Sequence, residues 1–151
     1  MFPNVFEDST TNSTLERLEK LTFDTQPQWG KMNASQMLAH LNVAYDMAYT
    51  EKQSKSSWFT KFLMKAFVKG IVVGEKPYAK NSRTAPQFLI TTEKEFSEEK
   101  AKFIDNVKKT QENGAKYFEG RESASFGALT AKQWSNMFSK HIEHHFAQFG
   151  V

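Results

Sequence analysis

The chain has 151 residues, a length suited to one domain (1–151) with a buried core. Its formal charge of +3 is dispersed, and only Arg17, Arg83 and Arg121 among the basic residues are arginines, so the excess does not mark a nucleic-acid binder. It contains no cysteine, which excludes disulfides, thiolate nucleophiles and cysteine-held zinc, and leaves nitrogen and oxygen as the metal donors.

Residues 1–14 show no basic stretch followed by an apolar one, so no secretory signal is expected. No run of roughly eighteen uncharged apolar residues exists to span a membrane. A cytoplasmic protein with no membrane and no nucleic-acid partner is the expectation. In chain order, Ser13-Thr14-Leu15-Glu16 fits a capping box, with Leu15, Leu18 and Leu21 as an apolar stripe behind it. Residues 24–30 carry Pro27 and Gly30 and read as a connection.

Asn33 opens a second helix, with Gln36 as its reciprocal cap. Met37, His40, Leu41, Ala44, Met47 and Ala48 fall on one face of it, with Asp46 pointing away and His40 toward the edge of the apolar side. Residues 52–57 are a polar break. Residues 58–73 are apolar but carry Lys61, Lys65 and Lys69 at helical spacing, which predicts a helix lying on a surface and ended by Gly70 and Gly74. Residues 75–90, with Pro77 and Pro86, read as extended loop with room for a short strand.

A further helix is predicted over 97–113, from the spacing of Phe96, Lys100, Phe103, Ile104 and Val107, with Gly114 as its terminator. Residues 117–127 read as an irregular link. Thr130 and Gln133 form the box of a last helix, whose predicted buried face is Trp134, Met137, Phe138, His141, Ile142, His145 and Phe149. Lys132, Lys140 and Glu143 are assigned to its wet side, and Gly150 ends it. The pattern predicts an all-α protein, four main helices in a bundle plus an accessory amphipathic helix.

Three of the four histidines lie within residues 141–145. On a helix His141 and His145 fall roughly 40° apart near the centre of the apolar stripe, and His144 roughly 90° to one side. Each buried imidazole needs partners for both ring nitrogens, and the neighbours on this face are mostly Trp, Phe and Met. Two readings are open at this point, a shared metal ion to which the solitary His40 adds a third ligand, or hydrogen-bonded core histidines. Glu143 does not complete a His-Glu-x-x-His protease motif.

The segments Gln36-Met37-Leu38-Ala39-His40 and His141-x-x-x-His145-x-x-Gln148 resemble the DinB-like, or YfiT-like, metalloenzyme superfamily, and more closely a subfamily of unknown function within it. The stretches 21–32, 126–134 and 140–150 carry the closer resemblance, which covers nearly the whole chain. Where that subfamily often has His-Pro before a Phe-Gly pair, this chain has Ser123-Ala124-Ser125-Phe126-Gly127. The resemblance implies a four-helix up-down bundle and a divalent metal on His40, His141 and His145, zinc first, with nickel or iron as alternatives. It also implies chemistry on a small molecule, since superfamily relatives include S-transferases and an isomerase that use low-molecular-weight thiols, and it makes a homodimer plausible.

Three neutral ligands would leave the ion's full charge at an open position, favouring hydroxide over water or thiolate over thiol. With no cysteine in the chain, a thiol would arrive as a cosubstrate. The expectation is a metal-dependent S-transferase or hydrolase. The alternative is a non-catalytic, stress-related protein in which the metal is structural. Trp29, Tyr45, Arg83 and Trp134 are candidate cavity residues, although Trp134 reads first as a core tryptophan and Arg83 as a solvated loop arginine.

Overall fold

A computed structural model describes residues 1–50, 64–82 and 84–151, with the backbone alone at Met64 and Lys65. Among the described residues the fold is mostly helical. Helix α1 spans Asp8–Leu18, α2 Ala34–Tyr49, α3 Lys69–Val73, α4 Phe96–Phe118 and α5 Ala131–Phe149. A π-helical turn, Met64–Val68, leads into α3, and a 3₁₀ turn, Pro86–Phe88, lies between α3 and α4. A two-stranded antiparallel hairpin pairs β1, Glu122–Ser123, with β2, Gly127–Ala128, in the register Glu122 to Ala128 and Ser123 to Gly127. No described helix is long and apolar enough to cross a membrane.

Two of the three predicted capping boxes are present, and the one read at Ser13 is not, because Ser13 lies inside α1. The Asn33 side chain accepts from the Gln36 N–H, and Gln36 accepts from the Asn33 N–H in return. Thr130 and Gln133 do the same for α5, and Gly150 ends that helix in the left-handed conformation. Helix α1 starts earlier than Ser13, with Glu7 at its N-cap. Its buried face is Thr11, Thr14 and Leu18. Two of these three are threonines, so the helical period is hidden from a reading that counts only apolar residues. Thr14 Oγ1–H bonds back to the Thr10 carbonyl at 2.8 Å, which lets a hydroxyl sit inside a helix.

In α4 the backbone leaves helical geometry at Gly114 (φ 69°), as a terminator should. The chain then makes one more turn, which delivers Phe118 to full burial. Burying that ring contributes roughly 1.5–3 kcal/mol, enough to offset the break. The predicted irregular link after it holds the hairpin. Residues 75–90 contain the 3₁₀ turn and no strand among those described. Residues 51–63, including the predicted break and the first part of the amphipathic helix, lie outside the described residues. Gly74 caps α3 as expected, while Gly70 lies within it.

The core joins Leu18 of α1, Met37, Leu38, Leu41 and Tyr45 of α2, Phe103 and Phe118 of α4, and Trp134, Phe138, Ile142 and Phe146 of α5. Tyr45 stacks on Phe138 with centroids 4.6 Å apart and planes 6° from parallel. Helix α5 touches α2, α3 and α4, so it is covered on more than one side. That coverage corrects the assignment of Lys140 to solvent. Lys140 is buried, and its ammonium donates to the carbonyls of Ile71 (2.5 Å) and Gly74 (2.8 Å) at the end of α3. Carbonyls there have no partner within their own helix, and the helix dipole favours a cation. Asn136 likewise donates to the Val73 carbonyl at 3.1 Å.

Candidate metal site

His40 projects from the middle of α2, and His141 and His145 project one turn apart from α5. Packing of α2 on α5 brings the three imidazoles together. Ring centroids stand 4.8 Å apart for His40 and His141, 4.6 Å for His40 and His145, and 4.9 Å for His141 and His145. One nitrogen from each lies within 4.8 Å of the others. The Nε2 atoms of His40 and His141 are 2.8 Å apart.

The outer nitrogens decide the tautomers. His40 Nδ1 lies 2.8 Å from the carbonyl oxygen of Phe88, which can only accept, so Nδ1 carries the proton and Nε2 holds a lone pair. His145 Nδ1 lies 2.7 Å from Gln148 Oε1. The Gln148 amide is oriented by its own Nε2, which donates to the Trp29 carbonyl at 2.6 Å, so its oxygen accepts from His145. His145 therefore also presents a bare Nε2. Two of three rings thus show the arrangement of metal-bound histidines, one nitrogen fixed on a protein oxygen and the other unprotonated and turned toward the cluster.

Burial keeps the rings neutral. Desolvation lowers the pKa of His40, and the Phe88 hydrogen bond opposes it only in part. Burial lowers His145 to about 3. His141 is driven well below the ordinary imidazole range by burial and then by the neighbouring His145 and His40. Neutral imidazole is the form that binds a metal. The donor set therefore fits a divalent transition metal. Two nitrogens on a tetrahedral ion at about 2.0–2.1 Å stand about 3.3 Å apart, so the 2.8 Å pair would open slightly to accept one.

The three rings line a cavity of about 960 Å³. Its apolar wall includes Ala44, Met47, Val72, Phe88, Trp134 and Met137. Trp134 thus serves both readings, since it lines the cavity while packed against Phe118 and Phe138. Tyr45 does not reach the cavity, because it is held in the core against Phe138, where burial pushes its hydroxyl pKa up. Trp29 lies edge-on to His144 at 6.0 Å, away from the cavity wall. Arg83 lies outside the described residues.

His144 stays out of the three-histidine cluster, as its angle on the helix predicts. It is nonetheless half-buried and lines the cavity, with its ring 5.0 Å from that of His145. Glu143 is turned away and paired with Arg17 at 2.5 Å. The charged residues among the described lining are Glu75 and Lys76, and Glu75 pairs with Lys132 at 2.8 Å.

Sequence reasoning missed Phe88 and Tyr78 as cavity residues, for neither stands in a periodic pattern. Gln148 was visible only as part of a resemblance. Its position three residues after His145 puts both side chains on one helix face, and that spacing was the available signal. No curated protein and no solved structure matches the chain. Residues 6–150 match the family described as protein of unknown function (DUF1569), and the chain belongs to that family.

Proposed function

We propose that this chain is a metal-dependent enzyme acting on a small molecule, with a divalent ion held by His40, His141 and His145. Zinc is the first choice of ion, with nickel or iron as alternatives. The observation that carries the reading is that three neutral imidazoles, two with their outer nitrogens fixed, open onto a cavity of about 960 Å³. A site serving only to tie helices together would be closed by a fourth protein ligand. The DinB-like four-helix up-down bundle is the architecture this reading adopts. It is supported by the packing of α2, α4 and α5 around one core and by the histidine spacing.

Bound there, the ion would supply a Lewis-acid position that favours hydroxide over water or thiolate over thiol near neutral pH. The chain's own residues do the rest. Phe88 and Gln148 aim His40 and His145 inward. Ala44, Met47, Trp134 and Met137 exclude water and receive an apolar group. A low-molecular-weight thiol is the proposed nucleophile, because the chain has no cysteine to supply one. The reaction class is S-transfer or hydrolysis.

A second reading, a structural metal without catalysis, is favoured by the fact that the site bridges α2 and α5. Untagged protein separates the two. Elemental analysis and titration should show about one divalent ion per chain, and a screen of thiols against electrophiles should show turnover that chelator abolishes. A large chelator-induced fall in Tm with no turnover selects the structural role. Absence of metal binding defeats both.

A further inference from the structure

The loop before α2 is fastened to the end of α5 at two points beside the histidines. Gln28 N–H donates to the Gln148 carbonyl at 2.7 Å, which satisfies a carbonyl of the last helical turn. The Gln148 side chain returns to the same loop and donates to the Trp29 carbonyl at 2.6 Å, while its oxygen accepts from His145 Nδ1–H at 2.7 Å. Gln148 is 4 % exposed, so this amide has few alternatives to these two partners.

Gly30 makes the arrangement possible. Its φ is +84°, and a Cβ at this position would stand 2.5 Å from Gln148 Nε2. Any side chain there would push the amide from its seat and strain the loop. The requirement is local, since Gly30 itself is exposed and contributes nothing to the core.

We infer that Gln148 is a positioning residue for the metal site, held by the Trp29–Gly30 backbone so that its oxygen fixes His145 with Nε2 directed at His40 and His141. The inference rests on the metal reading proposed above and extends it to residues that touch no ion. His40 is fixed by a main-chain carbonyl, which substitution cannot remove. His145 is fixed by a side chain whose own anchor, the Trp29 carbonyl, is five residues before the start of α2. The loop from Gln28 to Gly30 thereby sets how well α5 presents its second ligand.

The test uses untagged, metal-free, ¹⁵N-labelled full-length protein and cobalt as probe. Long-range proton–nitrogen correlation should find His145 in the Nδ1–H form. Gln148→Leu and Gly30→Ala should each move it toward Nε2–H and raise the cobalt Kd about 10–100-fold, with a changed d–d spectrum. Circular dichroism checks the fold of each variant. Should Gln148→Leu not fold, Gly30→Ala, in an exposed loop, carries the test alone. Parent-like cobalt affinity and spectrum in a folded Gly30→Ala variant would overturn the inference while leaving the metal site standing, as would an Nε2–H tautomer of His145 in the parent. A parent that shows the expected tautomer yet takes up no cobalt would instead defeat the metal reading, and the positioning role with it.

Discussion

His40 and His141, 101 residues apart in sequence, approach Nε2 to Nε2 at 2.8 Å across the contact between α2 and α5. His40 Nδ1 already donates to Phe88, so its Nε2 can only accept. In the metal-free protein His141 must supply the proton between them. With an ion bound, that proton has to leave or move to Nδ1 of His141. The pair is therefore a donor and an acceptor sharing one proton, at a position that an electrophile can take.

Replacing His40 by Ala should lower metal affinity by at least about 100-fold, since removing a ligand exceeds the usual effect of losing its supporting partner. His144→Ala should leave affinity unchanged, because His144 is outside the cluster. Competition titration with a chromophoric chelator measures both. Equal loss in the two variants would show that the ion sits elsewhere along the cavity wall.

The metal-free protein should lose stability in mild acid. His40, His141 and His145 have folded-state pKa values lowered chiefly by burial, His145 to about 3, against about 6.5 for the unfolded chain. Between these limits the unfolded chain binds more protons. Their contribution is thus complete above about pH 6.5 and is lost as pH falls toward the folded values, by up to about 1.4 kcal/mol per pH unit for each group. Urea midpoints at pH 7.5, 6 and 5 isolate this window from the carboxylates. A flat profile there would show that the rings protonate in place.

Lys140→Met keeps the length of the buried chain and removes its donor. The carbonyls of Ile71 and Gly74 would lose their partner, at a cost of about 1–3 kcal/mol. Urea denaturation gives the global cost. Hydrogen exchange should show faster opening of the Gly74 amide, which bonds Gly70 at the end of α3. Unchanged exchange would mean that α3 is held by its apolar contacts alone.

Asn33→Ala and Thr130→Ala each break a reciprocal cap and should cost about 1 kcal/mol by the same measurement. The Asn33 change should also weaken metal binding slightly, because α2 carries His40 two turns on. Thr130 starts α5 three turns before His141, and its loss should leave affinity alone. The contrast between the two tests whether local order at the start of α2 reaches the site.

Much of this protein is written in local sequence. Asn33, Gln36, Thr130 and Gln133 announce two helix starts, because a cap is a contact among neighbours. The pairing of His141 with His145, and the exclusion of His144, follow from a fixed rotation per residue. Tertiary structure alone decided the rest. The burial of Lys140 depends on α3 ending against α5, and the tautomers of His40 and His145 depend on Phe88 and on Gln148 anchored by Trp29. A periodic pattern names the face of a helix that will be covered; what covers it, and which oxygen meets each imidazole, is settled only when distant segments pack.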